Sequence, residues 1–212
     1  MSYRETTFGH PTVAQVCETL ANRGPANAAD LAALVSEHLQ ELASDIRHGS
    51  TDQYKQFWNV DGHARPDHPR PEDTCRDTLL ARLKDRLLPF GVEAIPEGHY
   101  ADDKRADIRI SYTTPQVSMA IPIEIKRDSH PDLWTAMSDQ LIDLYTRDPE
   151  SKGRGIFLVF WFGGNGMPTS PTGSKPTSAA ELEAQLLAIR PVDKRELISI
   201  CVVCCALSKN KK

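Results

Sequence analysis

Between residues 27 and 47 the apolar positions Leu31, Leu34, Val35, Leu39, Leu42 and Ile46 recur at intervals of three and four, which predicts an amphipathic helix. A shorter helix is expected ahead of it, at about residues 12–21. The group Tyr54-Lys55-Gln56-Phe57-Trp58 reads as core packing, ahead of a partner surface or a base-stacking platform. Residues 61–71 carry prolines and histidines without an apolar period and read as a linker. A second helical series, Cys75, Leu79, Leu80, Leu83 and Leu87, predicts a helix over residues 72–88 that opens after Pro71 and stops at Pro89 and Gly91. Glu72 stands at the end of its apolar stripe and faces inward.

Past Gly91 the period shortens to two. Strands are expected at residues 92–97, 106–112 and 119–126, and their short connections make them an antiparallel meander. Leu133, Met137, Leu141, Leu144 and Tyr145 predict a helix over residues 131–146, closed by Asp148-Pro149. Residues 155–162 read as a buried strand, 163–176 as an exposed loop, 179–189 as a helix and 197–207 as a last strand. The fold class is therefore α/β, with a mixed central sheet flanked by helices. Residues 1–65 form a helical N-terminal region and linker, whose expected role is to recruit a partner, dimerise or shape a groove, and residues 66–212 form the α/β unit.

With 212 residues, 40% of them hydrophobic, the chain can bury one substantial core. The net charge of -4 excludes a global positive field and leaves room only for a local basic cleft. Five cysteines, three of them in Cys201-Val202-Val203-Cys204-Cys205, fit a reducing cytoplasm better than a disulfide framework. No signal-peptide pattern opens the chain, and its longest apolar runs are too short to cross a bilayer as helices, so a cytoplasmic protein without a membrane partner is expected. Cys201 and Cys204 have metal-ligand spacing but lie within an apolar strand, so they read as buried thiols. Gly163-Gly164-Asn165-Gly166 lacks the lysine and hydroxyl residue of a phosphate-binding loop. His63 and His68 read as solvated, and nothing in the sequence brings His99 or His130 into a site.

The chemistry concentrates in Ile121-Pro122-Ile123-Glu124-Ile125-Lys126-Arg127. On a strand, Glu124 and Lys126 share one face while the three isoleucines fill a core on the other. Upstream, Ala106-Asp107-Ile108-Arg109-Ile110 repeats the pattern with a carboxylate at Asp107. Two adjacent strands that present Asp, Glu and Lys to one point would make a divalent-metal site with a lysine beside it; the competing reading is an ion-pair cluster without metal. Glu150-Ser151-Lys152 has the same spacing but sits in a polar run of turn formers, so spacing alone does not decide.

These residues resemble the PD-(D/E)xK nuclease superfamily, the restriction-endonuclease-like fold with an α-β-β-β-α-β core. Asp107 matches the family's aspartate, Glu124 and Lys126 its glutamate-x-lysine, Glu72 its first-helix acid and Gln140 a glutamine on the following helix. Ala106 replaces the proline of the pattern. The likeness covers about residues 72–162; more loosely, the chain is similar to nuclease-like C-terminal domains of bacterial phage-defence NTPases. The resemblance implies an Mg²⁺- or Mn²⁺-dependent phosphodiesterase, an endonuclease before an exonuclease, acting on nucleic acid, with DNA favoured over RNA. Asp107, Glu124 and the Ile125 carbonyl would hold the metal, and Lys126 would orient and help deprotonate the attacking water. Glu72 and Gln140 would support them, and Arg127, Lys104 and Arg105 would grip phosphates. Expected partners are nucleic acid, a second copy of the chain or a larger defence protein. The alternative is an inactive nucleic-acid-binding or protein-interaction adaptor on the same fold.

Overall fold

The alternating runs pair into one five-stranded sheet, which a computed structural model describes together with its helices over residues 24–99 and 105–207, and Val13. The helix expected near residues 12–21 lies outside the described residues, Val13 excepted. In chain order the elements are α1 (Ala28–His48), β1 (Trp58–Val60), β2 (Pro66–Pro69), α2 (Glu72–Leu87), β3 (Glu93–His99), β4 (Arg105–Thr113), β5 (Ser118–Arg127), β6 (Gly155–Trp161), α3 (Ala179–Ile189) and β7 (Ile198–Cys204). The strand order is β3-β4-β5-β6-β7. The first three strands run antiparallel, as their short connections require, and β5, β6 and β7 run parallel across helical crossovers. The protein is thus α/β with a mixed sheet between two helical layers.

Because β6 lies between β5 and β7 and under helices on both sides, both of its faces are buried along its whole length. Ile156, Leu158 and Phe160 join the isoleucines of β4 and β5 in one core under α1 and α2. Phe157, Val159 and Trp161 turn the other way, to a second core with Leu133, Met137, Leu141 and α3. Asn27 caps α1 by accepting from the N–H groups of Ala29 and Asp30. The buried α1 residues Leu31, Val35, Leu39, Leu42 and Ile46 lie in the same core as Leu79, Leu83 and Leu87 of α2, so residues on both sides of position 65 pack together. The aromatic group is core, as expected: Phe57 packs on Phe160, Trp58 meets Phe162 edge-on, and Trp58 Nε1 donates to the Cys205 carbonyl at 2.7 Å.

Two elements correct the sequence reading. The expected linker at residues 61–71 contains β2, which pairs antiparallel with β1. Asp61 Oδ1 closes the intervening turn by accepting from the N–H groups of His63 and Arg65, each at 2.8 Å. A two-stranded ribbon tolerates Pro66 and Pro69, since one edge of each strand needs no N–H. The expected α-helix over residues 131–146 is instead a series of turns with a π-helix at Met137–Ile142 and a 3₁₀ turn at Tyr145–Arg147. Its inward residues Leu133, Met137, Leu141 and Tyr145 are spaced four apart, whereas an α-helix turns every 3.6 residues and would carry them progressively off the sheet. The wider π turn keeps all four buried. Gly155 lets β6 begin beneath it, because a Cβ there would lie 2.7 Å from Leu141 Cδ1.

Leu39→Ala should lower stability by about 2–5 kcal/mol in a single urea transition that tryptophan fluorescence and circular dichroism report together. A separate early transition for α1 would show that it does not share the core.

Candidate active site

β5 loses one neighbour before it ends. Its pairing with β4 stops at Ile108 and Ile123, while its pairing with β6 continues to Arg127. Alternate residues of a strand turn N–H and C=O to the same edge, so Ile125 and Arg127 face the gap that β4 leaves. Unpaired buried N–H groups are costly, and two carboxylates satisfy them. Asp107 Oδ2 accepts from the Ile125 N–H at 2.7 Å, and Glu72 Oε2 accepts from the Arg127 N–H at 2.8 Å. The Ile125 carbonyl shares that edge. Glu72 reaches it from the first turn of α2, the position its place on the apolar stripe requires.

Glu124 and Lys126 leave β5 on the face opposite Ile123 and Ile125, beside their register partners Phe157 and Val159. They are only 2% and 6% exposed, and Lys126 Nζ donates to Glu124 Oε1. Burial, and then the nearby Asp107 carboxyl, push Glu124 up to about 8 against the opposing pull of Lys126. Burial also raises Asp107, opposed by the Ile125 N–H, Lys126 and Arg76, and raises Glu72, opposed by Lys126 and the Arg127 N–H. For Lys126 burial disfavours the charge, but Glu124, Asp107 and Glu72 outweigh it and hold the amine above its ordinary value. Among the described residues the cluster is therefore three carboxyls around one ammonium, and all three carboxyls are held above their ordinary values.

Asp107, Glu124, Lys126, Glu72 and the Ile125 backbone come together at this gap. Gln140 is half-buried in the π-helix and makes no hydrogen bond to the cluster. Arg105 is exposed at the start of β4, two residues from Asp107 and hence on its face of the strand. Lys104 lies outside the described residues. Arg127 ends β5, its guanidinium donating to the Arg70 carbonyl and to Ser129 and lying over the Phe162 ring. Glu150 and Lys152 fall in a turn, and Glu150 pairs with Arg109, so the second glutamate-x-lysine is a loop ion-pair element. Cys201 and Cys204, three apart on β7, project to opposite faces and cannot share an ion.

Three residues were missed or left without a role. Arg76, buried on α2 one turn after Glu72, bears electrostatically on Asp107 and is held by Asp73 and Asp77 of its own helix. Its signal was a charge beside Cys75 within an apolar stripe. Tyr145 is buried near Glu124 and Asp107, and burial with those two charges pushes its hydroxyl up to about 12. His130 shares a small cavity with Glu72 and Arg127, and no spacing pattern announces it.

The raised Glu124 gives a signed expectation. Between its ordinary 4.5 and about 8 the folded chain keeps a proton that the unfolded chain has released, so stability falls as pH rises through that window and levels off above it. In EDTA, the melting temperature of the wild type should fall from acid to mildly alkaline pH, and Glu124→Gln should flatten the slope. An unchanged slope in the variant would show that Glu124 does not hold the proton.

Among the described residues no helix is long and apolar enough to cross a membrane. No curated protein and no solved structure matches the chain. A family described as a domain of unknown function (DUF8371) matches residues 31–164, from α1 through β6 and including every residue of the carboxyl–lysine cluster. That is more than half of the 212 residues, and the chain belongs to that family.

Proposed function

We propose that the protein is an Mg²⁺- or Mn²⁺-dependent nuclease of PD-(D/E)xK type, with a restriction-endonuclease-like core, that hydrolyses phosphodiester bonds of nucleic acid, DNA before RNA. The observation that carries the reading is the Asp107 carboxylate on the Ile125 N–H, beside the buried Glu124–Lys126 pair, where β4 and β5 part. The residues fit a hard cation. The Asp107 and Glu124 carboxyls bear on each other electrostatically, and both stand above their ordinary pKa, which marks a demand for positive charge. No three histidine, cysteine or acidic side chains among the described residues converge as a closed ligand set. Mg²⁺ needs none, since it binds through one or two carboxylates and keeps several waters.

Asp107, Glu124 and the Ile125 carbonyl would hold the ion, with Glu72 at the margin. When bound, it supplies charge neutralisation at the phosphoryl oxygens and a more acidic attacking water. Lys126 is an ammonium among carboxylates, which suits it to orient that water and to neutralise charge on the phosphate; a free base it is not in this state. Arg127 and Arg105, with Lys104, would grip neighbouring phosphates and offset the chain's negative charge locally. Cutting both strands of a duplex calls for two such sites, hence a homodimer or a partner, and a setting in bacterial defence follows from the looser likeness.

The tightly paired, buried Glu124–Lys126 couple favours a second reading, a nucleic-acid-binding or protein-interaction adaptor on the same fold that has lost turnover. Plasmid, single-stranded DNA and structured RNA incubated with Mg²⁺ or Mn²⁺ separate the two. The nuclease reading expects EDTA-sensitive cleavage that falls on the order of 10²-fold or more in Asp107→Ala and in Lys126→Ala. Binding of nucleic acid without any cleavage would transfer the assignment to the adaptor.

A further inference from the structure

The turn that follows β5 builds a second, smaller site. The His130 N–H donates to the Arg127 carbonyl at 2.9 Å and closes a turn over residues 127–130. Its second residue, Asp128, is 1% exposed; Asp128 Oδ2 accepts from the N–H groups of Phe162 and Gly164, each at 2.8 Å, and so fixes the turn against the end of β6. Arg127, Ser129 and His130 thereby line a cavity of about 220 Å³ together with Glu72 and Pro131. Arg127 has no carboxylate within salt-bridge distance among the described residues. Among the described residues its guanidinium donates to the Arg70 carbonyl and Ser129 Oγ, and Nε is buried with no partner there. His130 Nδ1 accepts from the Asp132 N–H at 3.1 Å, which puts the ring proton on Nε2.

We infer that Arg127, Ser129 and His130 form a subsite for one backbone phosphate of the strand, next to the group being cut. This rests on the nuclease reading and adds His130 to it. A part-buried guanidinium, a hydroxyl and an imidazole line a space smaller than the roughly 300–1,000 Å³ of small-molecule sites, which suits a phosphate group. With Nδ1 held by a backbone N–H, His130 positions the phosphate by hydrogen bonding through Nε2.

The test uses the full chain with Ca²⁺ in place of Mg²⁺, a short fluorescent DNA strand and its duplex, and a set in which single phosphates are replaced by neutral methylphosphonates. His130→Ala should weaken binding about fivefold with no change in salt dependence, His130→Gln should recover part of the loss, and Arg127→Gln should reduce the salt slope by about one. One methylphosphonate position should erase the difference between wild type and His130→Ala. Wild-type affinity in His130→Ala, or an equal response at every methylphosphonate position, overturns the subsite. If the wild type cleaves DNA with Mg²⁺ while both variants match it in KM and kcat, only the subsite fails. A wild type that neither binds nor cleaves any strand overturns the nuclease reading and the subsite together.

Discussion

The parting of β4 from β5 after the Ile108–Ile123 pair is the constraint from which the rest of the site follows. A sheet that opens in its interior exposes backbone N–H groups with no strand to meet them, and each would cost about 1–3 kcal/mol if left unpaired. Here the acceptors are side-chain carboxylates, Asp107 from the departing strand and Glu72 from the helix laid across that face. Their chemistry differs from that of the backbone carbonyls they replace. Each carries a charge and a second oxygen, so the requirement to satisfy two N–H groups also concentrates acids at one point.

That concentration explains the electrostatics. Glu124 is buried and acted on by Asp107, and among the described residues Lys126 is the one cation in direct contact with it. Arg76 bears electrostatically on Asp107, and Tyr145 is buried within reach of the Glu124 and Asp107 charges, so further groups tune the cluster. Burying like charges together is unfavourable unless a cation joins them, and a fold that is otherwise consistent in pattern and packing localises this conflict at one place. The remaining layers hold it rigid: β6 pairs with β5 to its end, the π-helix covers the Glu124 face and Asp128 ties the outgoing turn to β6.

Much of this was legible in the order of residues. The isoleucines at 121, 123 and 125 set the face of Glu124 and Lys126, and the series Cys75, Leu79, Leu83 set the inward direction of Glu72. The helix after β5 was misread because inward residues four apart satisfy a helical template within its tolerance; only the sheet beneath shows that the turn must widen. The hairpin at β1 and β2 was misread because its prolines and Asp61 turn look like loop chemistry until a partner strand is present. Arg76 and His130 were missed for different reasons. Arg76 had a local signal in its place on α2, whereas His130 enters through a turn whose geometry depends on Asp128 reaching residues 34 and 36 positions away.

Whether the acids at the gap hold a cation, as proposed, is read by calorimetric titration of Mn²⁺ into the full chain near neutral pH, repeated in buffers of different ionisation enthalpy. A cation site there should give saturable binding that releases protons, with the release lost in Glu124→Gln and the binding lost in Asp107→Ala. Absence of binding by a folded wild type, or binding that survives Asp107→Ala unchanged, would contradict it.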